Sequence, residues 1–101
     1  KIFIFKKELI IITRIKTFDP KKSKAIRIVA ANIRHFRLEL DISQEYLAEL
    51  SNTHRNFIGL VERCSSNINI IHLELIAKAL KKSLSDLVSK HEGIDYKIPK
   101  S

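Results

Sequence analysis

Residues 43–63 read SQEYLAELSNTHRNFIGLVER, and the fold turns on this stretch. Two short amphipathic segments meet around Asn52, and their residue types satisfy what a pair of helices crossing at a tight turn requires. Ser43 can cap the N–H groups of residues 45 and 46, while Ile42 can pack on Leu47 as a hydrophobic staple. Ala48 is small where the second helix must cross closely. Asn52 tolerates the positive φ that closes a helix. Leu47, Ile58 and Val61 supply the side chains that bury the joint. The pattern predicts helices over about 44–51 and 54–63, separated by a three-residue turn.

Upstream, Asp19-Pro20 has the form of a helix start, with Asp as N-cap and Pro at the first helical position. Ile26, Val29, Ala30, Ile33, Phe36 and Leu40 then recur at three- and four-residue intervals, predicting a helix over about 21–39 whose other face carries Arg27, Arg34 and Arg37. Downstream, Ser65-Ser66-Asn67 reads as a loop. Asn69 caps a helix over about 70–81, which has Ile70, Leu73, Ile76, Ala77 and Leu80 on one face. Ser83 with Asp86 forms a capping box that opens a helix over about 84–90. The expected fold is all-α, one five-helix domain over 20–90. Residues 91–101, with Gly93 and Pro99, read as a C-terminal tail. Residues 1–19 form a basic, apolar N-terminal extension. Its runs Ile2–Phe5 and Leu9–Ile12 favour a strand or strand pair by β-branched and aromatic content. Both are too short to span a bilayer, and neither is followed by a small-residue cleavage site.

With 101 residues, 45% of them hydrophobic, the chain suits one compact core. Its formal charge of +8 points to a polyanionic partner. Residues 1–40 hold eleven Lys and Arg against Glu8, Asp19 and Glu39, so residues 41–101 are net neutral. Long-range attraction to phosphate therefore comes from the first forty residues, and the rest must bind through a few well-placed groups. A single cysteine, Cys64, excludes an intrachain disulfide and fits a reducing cytoplasm. His35, His54, His72 and His91 lie 18–19 residues apart without companion ligands, so neither a metal site nor any other cofactor is assigned. Gly59 and Gly93 are the only glycines, which leaves no phosphate-cradling loop or dinucleotide fingerprint to be written. No cluster of side chains supports an enzyme.

SQEYLAELSNTHRNFIGLVER resembles the Cro and phage-repressor type of helix-turn-helix protein, the XRE family, with a lambda-repressor-like five-helix domain. The resemblance extends over about 25–90 and takes in NIRHFRLELDISQ and LELIAKALKKSLSDL. Within the family, HRNFIGLVER and the NIN loop look most like restriction–modification controller proteins. The resemblance implies a sequence-specific regulator that binds double-stranded DNA as a homodimer, with the helix over 54–63 in the major groove. Gln44 then braces against phosphate and the recognition helix, and His54, Arg55, Asn56, Gly59, Leu60 and Arg63 face the groove. Arg55 can fork onto guanine and Asn56 can pair with adenine. Local capping is the competing role for Asn56 and His54. Ser65, Ser66, Asn67 and Asn69 fall with Arg63 where the family meets backbone phosphate, or else form an ordinary polar loop. Arg37 and Glu62 match a structural ion pair.

Three residues depart from the family pattern. Thr53 and Lys82 replace apolar residues, and Cys64 replaces a helix-ending glycine. Leu84, Leu87 and Val88, or the N-terminal apolar run, are expected to form the dimer interface. The competing class is an antitoxin or other protein-interaction module with an autoregulatory helix-turn-helix. No membrane partner and no small-molecule ligand are expected.

Overall fold

The computed structural model describes residues 19–97, and within them the chain is helical. The helices are α1 (Lys24–Glu39), α2 (Gln44–Leu50), α3 (Phe57–Glu62), α4 (Ile70–Ala79) and α5 (Leu84–Val88). The strand expected in residues 1–18, and any part they play in a dimer, lie outside the described residues.

Two helix starts differ from the sequence reading. Asp19 does accept a hydrogen bond from the Lys21 N–H, at 3.0 Å, but it caps only a single 3-10 turn, Pro20–Lys22. Ser23 accepts from the Ile26 N–H at 3.2 Å and is the true N-cap of α1. Two caps lie four residues apart, and the one nearer the apolar stripe starts the helix that packing rewards. Likewise α3 begins at Phe57 rather than 54, because His54–Asn56 form a turn whose first carbonyl, of His54, accepts from the Phe57 N–H at 2.8 Å. Ser43, Asn69 and Ser83 cap α2, α4 and α5 as expected, and Ser83 and Asp86 complete the capping box.

Four helices end in one way, and none of them uses glycine. Asp41, Asn52, Cys64 and Lys81 all have φ between 55° and 59°. The following residue closes each end by donating back five residues, as in Thr53 N–H to the Ala48 carbonyl at 2.9 Å and Ser65 N–H to the Leu60 carbonyl at 2.8 Å. This Schellman geometry satisfies carbonyls that the helix would otherwise orphan, at about 1 kcal/mol per left-handed side chain. Cys64 takes the glycine-like conformation with its side chain fully buried, so its strain is set against burial of the thiol. Burial pushes the thiol up from its ordinary range, and Arg27 and Lys21 oppose that shift. A reactive redox thiol is thereby disfavoured.

α1 packs against α3 and α5, α2 against α3 and α4, and α4 against α5. Ile33, Leu47, Ile58, Ile76, Leu80 and Leu87 are fully buried where these layers meet, each contributing roughly 1.5–3 kcal/mol. Ile42 joins the same core, as a staple should. Ala48 is completely buried under the crossing helix. Leu87 belongs to the core, whereas Leu84 is only partly buried against it. Only Val88 of that trio stays exposed.

Residues 91–97, read from sequence as tail, fold back onto the helices. The Tyr96 hydroxyl donates to Asn32 Oδ1 at 2.6 Å and accepts from the His91 N–H at 2.8 Å. Asn32, buried on α1, donates through Nδ2 to the carbonyls of Leu87 at 2.9 Å and Ser89 at 2.7 Å. His91 also stacks edge-on against Phe36, with ring centroids 5.5 Å apart. One asparagine thus ties the end of α5 and the following strap to α1.

Candidate nucleic-acid interface

The site is organised by one buried ion pair. Arg37 Nε donates to Glu62 Oε2 at 2.6 Å and Nη2 donates to Oε1 at 2.9 Å, a bidentate fork joining α1 to the end of α3. Arg37 Nη1 also donates to the Ile42 carbonyl at 2.9 Å, and Gln44 Nε2 donates to Glu62 Oε1 at 3.0 Å. The start of α2 is therefore fixed against α3 by a charge network whose buried atoms are satisfied. Gln44 is thereby tied to the end of α3.

Gly59 lies within this network rather than at an open groove face. A Cβ there would come within 3.0 Å of Gln44 Oε1 and 3.1 Å of Arg63 Nη1, so glycine makes room for those two side chains to cross α3. In the structure Gly59 is covered by them. Gln44, Gly59, Glu62 and Arg63 are thus brought together.

The exposed side of α3 and its preceding turn carries His54, Arg55, Asn56, Leu60 and Arg63, while Ile58, Val61 and Glu62 are buried behind it. His54 Nδ1 accepts from the Asn56 N–H at 3.2 Å, which gives His54 the local capping role. Asn56 occupies the N-cap position without making a side-chain cap bond, leaving its amide available. Arg55 shares an open recess with Thr53 and with Glu45 and Glu49, two acidic residues one helical turn apart on α2. Sequence reading missed this acidic setting, although the i, i+4 spacing of the glutamates was visible.

Beyond α3, Ser66 Oγ donates to the Asn67 carbonyl at 2.9 Å and Ser65 Oγ to that of Arg63 at 3.4 Å. Asn69 is engaged as a cap, accepting from the His72 N–H at 2.8 Å. The two polar departures find partners. Thr53 Oγ1 lies 3.2 Å from Ser51 Oγ, and Lys82 Nζ stands 4.6 Å from the centroid of the Phe36 ring. Asn32 is a residue that sequence reading passed over, though it lies at core spacing between Val29 and Phe36 on α1.

Residues 33–87 match the family model described as helix-turn-helix. This chain belongs to the XRE-type helix-turn-helix family. The control protein C.SmaI of Serratia marcescens is 43% identical over 63 residues, covering 62% of this chain and 75% of that protein. The fold resembles the restriction–modification controller C.AhdI of Aeromonas hydrophila, with a TM-score of 0.59, 31% identity, and coverage of 61% of this chain and 94% of that one. It also resembles wild-type C.Esp1396I, another such controller, with a TM-score of 0.60, 37% identity, and coverage of 70% and 100%. The XRE-type chain is a DNA-binding transcriptional regulator in a family of regulators rather than enzymes. No helix among its described residues is long and apolar enough to cross a membrane.

Proposed function

We propose that the chain is a cytoplasmic controller of restriction–modification genes, binding double-stranded DNA as a homodimer with α3 in the major groove. The carrying observation is the exposure of Arg55, Asn56, Leu60 and Arg63 along α3 and the residues flanking it, while the buried side of α3 is locked to α1 and α2. Similarity to three controllers supports the choice of regulated genes. Arg55 and Asn56 read base edges in this proposal, with His54 shaping the turn beside them and Leu60 meeting an apolar edge. Gln44, Arg63, Ser66 and Asn67 meet phosphate. Gly59 acts by letting Gln44 and Arg63 cross. The binding unit extends from residue 20 through the strap at 91–97, and residues 1–19 add affinity without base preference.

Arg55→Ala tests the recognition surface. Binding to the region upstream of the chain's own gene should weaken by ~1–3 kcal/mol, with relaxed preference at one base pair per half-site. Binding to random DNA should fall much less. Equal loss on both duplexes, with stability intact, would make Arg55 a phosphate clamp and shift recognition to Asn56 or to DNA shape.

The dimer requires a surface that the core has not already used. α4 leaves Ile70, Ile71 and Leu75 exposed, and Val88 is exposed on α5 packed beside it. These four, beside partly buried Leu84, take the place of Leu87 in the proposed interface, which spaces two recognition helices about 34 Å apart. Sedimentation should show a dimer that dissociates on Ile71→Lys. A strict monomer at micromolar concentration, free and DNA-bound, would overturn the homodimer.

A further inference from the structure

An open cleft of about 540 Å³ lies against α1, lined also by Glu62 and by the strap through Lys97. Arg27 and Arg34, two helical turns apart on α1, line it together with Lys97. No carboxylate among the described residues lies within ion-pair distance of these three cations. Glu62 is neutralised by Arg37, while Asp95 lines the cleft and keeps its charge, accepting only the Lys97 backbone N–H at 3.0 Å. Three cations against Asp95 leave the cleft net cationic, although residues 41–101 as a whole carry no net charge.

We infer that this cleft is a second DNA-backbone site, in which Arg27, Arg34 and Lys97 take phosphates flanking the base pairs that α3 meets. The inference rests on the proposed DNA-binding reading and extends it. Glu62 holds Gln44 at the proposed phosphate contact, and Arg63 follows it in sequence. Glu62 also lines the cleft, so the cleft adjoins the network that holds Gln44 against α3. A duplex continuing past the recognition helix offers phosphates along such a cleft, whereas an acidic protein would have no reason to meet it at the edge of the DNA-facing surface.

The test is the salt dependence of binding by the full chain to two duplexes of equal length, one from upstream of its own gene and one random. Arg27→Gln with Arg34→Gln keeps much of the stem packing and should make the slope of log K against log salt shallower by about 2 on both duplexes. The preference between the duplexes should stay unchanged, and hydroxyl-radical protection should be lost only at the outer phosphates. Exposed Lys97→Gln, which does not touch the core, should make the slope shallower by about 1. Wild-type slopes in both variants would overturn the inference while leaving the regulator reading intact, and would assign the cleft to another anion, such as an acidic protein surface. A wild-type chain that binds neither duplex would instead sink the regulator reading itself.

Discussion

Arg37→Ala should unfold most of the protein at temperatures where the parent is stable. Removing the guanidinium leaves the Glu62 carboxylate buried without its bidentate partner, and the Ile42 carbonyl loses a donor. Truncating one member of a buried pair costs about 3–5 kcal/mol, because the surviving charge stays desolvated. Domains of this size have roughly 5–15 kcal/mol in total. Thermal denaturation followed by circular dichroism should record the fall. Binding to cognate and random DNA should decline together with the folded fraction, unlike the selective loss expected for Arg55→Ala. Replacing both members, Arg37→Met with Glu62→Leu, should recover part of the stability, since no unpaired charge remains, although Gln44 then loses its acceptor. Unchanged stability in Arg37→Ala would mean that water reaches Glu62, and the account of a locked α3 would fail.

Asn32→Leu is the second large effect expected. The side chain is fully buried, and its amide is shared among Leu87, Ser89 and Tyr96. Leucine keeps the volume but supplies no donor for the carbonyls at the end of α5 and no acceptor for the Tyr96 hydroxyl. At 1–3 kcal/mol for a buried polar group left unpaired, and with the outer carbonyls reachable by water, the loss should be about 2–4 kcal/mol. Amide exchange should accelerate most over residues 87–97. Tyr96→Phe removes only the hydroxyl, so it should cost less while loosening the same strap. If Asn32→Leu left both the melting temperature and exchange in the strap unchanged, the asparagine would not be the tie that its geometry indicates.

How far the sequence went depended on the range of each interaction. Ser43, Asn69 and the Ser83–Asp86 box act within three residues, and Asn52 closes a helix through its own backbone preference, so these features were legible from local chemistry. The apolar periodicities placed Ile33, Leu47, Ile58 and Ile76 in one core for the same reason. The Arg37–Glu62 pair came from family resemblance rather than from spacing, because partners 25 residues apart leave no mark on periodicity. Tertiary structure alone decided between Asp19 and Ser23 as the start of α1, since both caps are chemically adequate and packing selects the one beside the stripe. It also gave Leu87 to the core and left Ile70 and Ile71 outside it, a choice set by how α4 and α5 cross. Tyr96 meets Asn32 from 64 residues away, and Lys97 comes to face Arg34 only because that strap folds back. Local preference determined which segments are helical and most of their caps, whereas packing and the burial of polar groups between distant segments determined the start of α1 and which side chains remained to bind.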